Sequence, residues 1–198
     1  MKKEERDVIS LIPDNEGNKR IPSLNKGVEF FHEWAGTHLP INQYECLAEE
    51  LKNFSQVIDY EKVKNQSTLQ FPKLILEMMY QAGKEALSGE ADPRLADLFS
   101  ILTHLLPHSY DAWLGLGLAH QKVSQNLESV VAFEQAKNLR PDLFLASLYQ
   151  AESYLGLKQF SESKKCALEA FQLMGTGDRH FRKYAEHLLN QSKVGVGS

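Results

Sequence analysis

With 198 residues, the chain has room for one large domain or two small ones. Its 42% apolar and 24% charged residues exclude a wholly disordered polypeptide. A net charge of −4, from 22 basic and 26 acidic residues, argues against a nucleic-acid partner held by phosphate neutralisation.

Residues 1–26 mix Lys, Glu, Asp and Asn with Pro13 and Pro22 and show no periodicity, so a flexible tail is expected, with one apolar run from Val8 to Ile12. Residues 27–71 have a different texture and read as a helical segment. Val28, Phe30, Phe31 and Trp34 suggest one or two amphipathic turns ended by Gly36 and Pro40. Tyr44, Leu47, Leu51 and Phe54 then recur at steps of three and four, which predicts a helix with one apolar stripe. A short element is expected from Val57 to Val63, and Pro72 opens the next helix, since the first turn tolerates proline.

From 72 to 193 an internal period takes over. Pro107, Pro141 and Gly175 recur at one constant interval of roughly 34 residues, long enough for two helices. In the unit that opens at Tyr110, Trp113, Leu116, Gly117, His120, Phe133, Ala136 and Pro141 fall where the tetratricopeptide pattern W-x2-L-G-x2-Y…F-x2-A…P has its signature residues, with His120 at the Tyr position. Ala151, Tyr154, Phe160 and Ala170 keep the register one unit later, and Gly83, Phe99 and Pro107 one unit earlier. The earlier unit is degenerate around Ala86 and Asp92–Pro93, where an insertion in the turn is expected. Small residues at the eighth position (Gly83, Gly117, Ala151) would let paired helices approach, and proline would end each second helix. The expectation is an all-α tetratricopeptide superhelix of three helix-turn-helix units. Its helices are predicted at 73–88, 93–106, 110–122, 126–139, 143–156 and 160–173, closed by a capping helix near 178–192. Residues 194–198 are expected to be loose.

Catalytic constellations are missing. The chain has no HExxH, GxSxG or GxxxxGK[ST], and the glycines of Leu114–Leu118 fall inside a predicted helix, where backbone N–H groups are not free to cradle phosphate. His104 and His108 have metal-ligand spacing, but Pro107 lies between them and no acid or thiol completes a set. Cys46 and Cys166 belong to no CxxC or Cys/His cluster and read as reduced thiols. No stretch approaches the ~20 apolar residues that span a bilayer. The reading is a cytoplasmic non-enzyme with no catalytic residue, metal or cofactor and no stable membrane insertion.

Stacked hairpins curve, and the first helix of each pair lines the concave wall. Its inward positions carry Glu77, Tyr80, Gln81, Lys84 and Leu87 in the first unit. The second unit supplies Asp111, Leu114, Gly115, Leu118, Gln121 and Lys122, and the third Leu145, Leu148, Tyr149, Glu152 and Leu155. A clamp for a terminal carboxylate would need more cations than Lys84 and Lys122. The wall suits an extended apolar peptide, with Gln81, Gln121 and Glu152 bonding its backbone. Residues 27–71 either cover this groove, or pack elsewhere and mediate a homodimer.

The run AWLGLGLAHQK (Ala112 to Lys122) and the run QAESYLGL (Gln150 to Leu157) resemble helices of the chaperones that serve bacterial type III secretion translocators. The resemblance spans roughly residues 76 to 190. It implies a cytoplasmic chaperone that holds an extended segment of a secreted client protein in its groove and dimerises through its N-terminal helices. A general scaffold for assembling a protein complex is the alternative.

Overall fold

The computed structural model describes residues 12–13, 19–20, 24–57 and 73–194, with side chains from 26 to 49 and from 73 to 193. The run from 8 to 11, most of the element expected at 57–63, and residues 195–198 lie outside them. Ile12–Pro13 and Lys19–Arg20 pair antiparallel, Ile12 opposite Arg20. All other regular structure among the described residues is helical: α1 Leu24–His38, α2 Ile41–Val57, α3 Lys73–Leu87, α4 Arg94–Leu105, α5 Tyr110–Lys122, α6 Asn126–Leu139, α7 Phe144–Gly156, α8 Phe160–Leu173 and α9 Arg179–Val194.

Helices α3 to α8 form three successive antiparallel pairs, each packed on the next. The second helices end at Leu105, Leu139 and Leu173, so the step between units is constant. The first turn carries no inserted residues, which corrects the expectation above, since Gly83 meets Phe99 at the same chain separation as Gly117 meets Phe133. The link from α3 to α4 is longer than the three-residue links 123–125 and 157–159 because its flanking helices stop short, not because residues have been added. Proline explains the late start of α4. Pro93 disfavours helical backbone at Asp92, and the Asp92 carboxylate accepts the Arg94 N–H at 2.9 Å instead. The two short links each contain a residue with left-handed backbone, Ser124 (φ 60°) and Lys158 (φ 59°), at equivalent positions of successive units.

Packing explains the small residues at the helix crossings. A Cβ on Gly83 would fall 2.8 Å from Phe99 Cζ, and one on Gly117 would fall 2.4 Å from Phe133 Cε1. Both phenylalanines are fully buried, and their rings occupy the room the glycines leave.

Helix α1 runs unbroken past Gly36, where one or two turns were expected. A single glycine costs a helix only about 1 kcal/mol, and the full burial of Phe31 and Ala35 outweighs that. The helix lies antiparallel on the outer face of α4. A Cβ on Gly27 would meet the Leu98 backbone N at 2.8 Å, and Arg94 donates to Glu33 at 2.8 Å. With α1 in place, eight of the twelve residues of α4 are buried, against five on α6 and four on α8. At the other end α9 packs on α8 and α7, burying Ala185 and Leu188 with Leu148 and Ala167.

Candidate functional site

The first helices α3, α5 and α7 stand side by side and leave a depression of about 400 Å³, lined by Leu87, Leu118, Gln121, Lys122, Tyr149 and Glu152. All six side chains come from those three helices. Among the described residues neither α1 nor α2 contributes to the lining.

Hydrogen bonds within the fold commit most of the polar groups here. The Gln121 amide donates to the Tyr149 carbonyl at 3.3 Å and to Ser153 Oγ at 3.2 Å. Ser153 is fully buried; it accepts from Ser129 Oγ at 2.8 Å and donates to the Tyr149 carbonyl at 3.1 Å. A hydroxyl can both give and take, which is what this junction of α5, α6 and α7 requires. Lys122 Nζ donates to the Leu87 and Gly89 carbonyls at 2.7 and 2.6 Å, closing the C-terminal end of α3. The Tyr184 hydroxyl of α9 lies near enough to the Glu152 carboxylate to have its pKa raised by it.

What remains facing the depression is chiefly the Leu87, Leu118 and Tyr149 side chains and the Gln121 carbonyl oxygen. The Tyr149 ring stacks on buried Phe133 with centroids 6.0 Å apart. Burial, with the Glu152 carboxylate second, raises the Tyr149 pKa. Tyr184 is raised for the same reasons, burial first and then the Glu152 carboxylate.

The other expected wall residues are placed as follows. Tyr80 is half-buried, its ring edge-on to Phe99. Leu114 is half-buried and Lys84 exposed. Gln81 is exposed, and its amide donates to Glu85 at 2.7 Å rather than standing free for a peptide backbone. Two residues are not on the wall at all. Leu148 is fully buried, because α9 covers the side of α7 that a further unit would otherwise use. Gly115 is buried against Phe99. Lys122 and Gln121 line the depression, but their donors serve the fold. Tyr184 was not expected: it lies on the capping helix, outside the repeat register that identified the other wall residues.

A second depression, also about 400 Å³, lies at the seam of α1 and α3. The Trp34 indole N–H crosses it to Glu85 at 2.9 Å, with His38 Nε2 3.9 Å from the same carboxylate oxygen. Among the described residues no group of three His, Cys, Asp or Glu side chains could hold a metal ion, and no described helix is long and apolar enough to cross a membrane.

No family model matches the chain, and no curated protein does. Solved structures do. The TPR2B-domain:pHsp70 complex of yeast Sti1 superposes with a TM-score of 0.57 at 13% identity, over 61% of this chain and 98% of that one. The TPR2AB-domain:pHSP90 complex of yeast Sti1 gives a TM-score of 0.57 at 13% identity, over 86% of this chain and 64% of that one. The CopN-Scc3 complex gives 0.53 at 17% identity, over 83% and 98%. At such identities the likeness shows the fold. From Lys73 to Val194 the chain folds as a helical tetratricopeptide superhelix.

Proposed function

We propose that this is a non-catalytic protein-binding module, and that the depression between α3, α5 and α7 takes an extended peptide of a partner protein. The observation that carries the reading is the state of the groove's side chains. Its N–H donors are used up inside the fold, while Leu118, Leu87 and Tyr149 keep apolar surface open to solvent. A site built to clamp a terminal carboxylate would gather several free cations, whereas the Lys122 ammonium is already shared between two carbonyls and leaves Lys84 alone on the wall. Apolar surface of this kind gains most from covering by apolar side chains. The solved structures of the same fold are complexes, which supports the reading.

Phage-displayed random peptides selected on the whole chain test it. Selected peptides should be rich in Leu, Ile, Val or Pro and should lose binding to Leu118→Asp, whose melting temperature stays close to that of the parent. Peptides that bind Leu118→Asp equally well would move the site elsewhere.

The narrower reading is a cytoplasmic chaperone for a secreted client. It rests on the two sequence runs Ala112 to Lys122 and Gln150 to Leu157. In both runs the residues largely serve packing: Gly115 and Gly117 seat phenylalanines, and Gln150 and Ser153 are buried and hydrogen-bonded. Co-expression with a membrane-active client would have to raise that client's solubility for the chaperone role to hold. Self-association through 27–71 would leave the inner face of α1 on α4 and would have Ile41 of α2, 77% exposed, available to bury. Light scattering of the whole chain and of Ile41→Asp tests that.

A further inference from the structure

The ninth position of the three repeat units, one past the small residue at Gly83, Gly117 and Ala151, carries Lys84, Leu118 and Glu152, each one repeat period from the next. Leu118 and Glu152 line the groove, and Lys84 precedes the lining residue Leu87 by three positions, which puts it on the same helix face. Across the concave wall the row therefore reads ammonium, isobutyl, carboxylate. Lys122 Nζ is spent on the Leu87 and Gly89 carbonyls, which leaves Lys84 as the cation of the row and Glu152 as its carboxylate. The acids Glu77 and Asp111 stand two helical turns back along their helices, roughly 10 Å from this row at 1.5 Å per residue.

We propose, resting on the groove reading above, that the occupant is a polyproline II segment of a partner protein. It carries an acidic residue, an apolar residue three positions away, and a basic residue three positions beyond that. The first helices of consecutive units are in contact, and packed helices lie ~8–10 Å apart. A polyproline II segment advances ~3.1 Å per residue with three residues per turn, so side chains at i, i+3 and i+6 share one face at ~9 Å intervals. A β-strand would turn the i+3 side chain to the opposite face. Pitch selects the backbone form, and the order of charges on the wall selects the side chains. The acidic residue lies over Lys84, the apolar one over Leu118 and the basic one toward Glu152.

Fluorescence anisotropy with three labelled peptides on the whole chain tests this: D-P-A-L-P-A-K, S-P-A-L-P-A-S and K-P-A-L-P-A-K. The first should bind about tenfold tighter than the second at low salt, with the gap closing as salt screens the pairs. Lys84→Glu should reverse the order in favour of the third peptide. Lys84 is exposed, and an unchanged circular dichroism melt establishes that the variant is folded. Equal binding of the first two peptides, or an order unmoved by Lys84→Glu, overturns the proposal. The groove reading survives that result if the first two peptides still fail on Leu118→Asp. Absence of binding by all three peptides overturns the two together.

Discussion

A Cβ placed on Gly115 would lie 2.1 Å from Cε1 of Phe99, the closest approach at any described glycine. Phe99 therefore fills a slot walled on one side by Gly83 of α3 and on the other by Gly115 of α5. That ring is shared between the N-terminal unit and its successor.

The same substitution should accordingly have opposite signs at two helical glycines. Alanine gains about 1 kcal/mol over glycine in a helix interior, but overpacking a filled core costs about 1–3 kcal/mol. At Gly115 the clash dominates, and Gly115→Ala should lower stability in urea unfolding. At Gly36 the nearest atom to a new Cβ is Tyr44 Cε2 at 3.5 Å, an ordinary contact. Gly36→Ala should raise stability. Adding Phe99→Leu to Gly115→Ala should cost less than the sum of the two single changes, because the smaller side chain vacates the contested space.

Ser124 and Lys158 hold left-handed backbone in the two short turns. Side chains disfavour that region by roughly 1–2 kcal/mol relative to glycine. Ser124→Gly and Lys158→Gly should each raise the melting temperature, and their effects should add, since the turns belong to different units. No gain at either position would mean the local hydrogen bonds already offset the strain.

Acid should weaken the fold through His120. Burial is the largest influence and holds its pKa below the ordinary value, while the hydrogen bond between Nδ1 and Gln125 Oε1 at 2.7 Å opposes the shift. A depressed folded value means the folded state prefers the neutral ring. Its stabilisation is complete above the unfolded value near 6.5 and is lost as pH falls through the folded value. His120→Tyr should make the melting temperature less sensitive to pH between about 7.5 and about 5.5. An unchanged slope would place the sensitivity elsewhere.

The two cysteines should react at very different rates. Cys46 is exposed on α2, whereas Cys166 is buried on α8 with its thiol 3.4 Å from Gln150 Oε1, and burial pushes its pKa up to about 11. A thiol titration of the native chain should release one equivalent promptly and the second only on unfolding. Stability should also decline as pH rises from about 8.5, the ordinary thiol value, toward 11, because the unfolded thiol ionises first. Prompt reaction of both thiols would show that α8 opens readily.

The repeat was legible because period and packing coincide in it. Gly83, Gly117, Phe99 and Phe133 are each required by a local helix crossing, and those crossings recur once per unit. The groove row at Leu118, Gln121, Tyr149 and Glu152 followed from the same register. What escaped the register depends on elements outside it. Nothing in the pattern foretold that α9 would bury Leu148, that Tyr184 would reach Glu152, or that α1 would lie on α4. Lys122 was read as a ligand cation because a surface lysine looks free in one dimension. Its carbonyl partners, Leu87 and Gly89, lie a whole unit away along the chain.

The covers over both outer units, α1 on α4 and α9 on α7 and α8, fix where such a chain can grow. A unit added before Lys73 or after Leu173 would have to displace a helix already docked there. A duplicated hairpin spliced between Leu143 and Phe144 would meet the surfaces it came from and leave both ends shut. The array is extensible from its middle alone, and each such extension would lengthen the trough by one helix width.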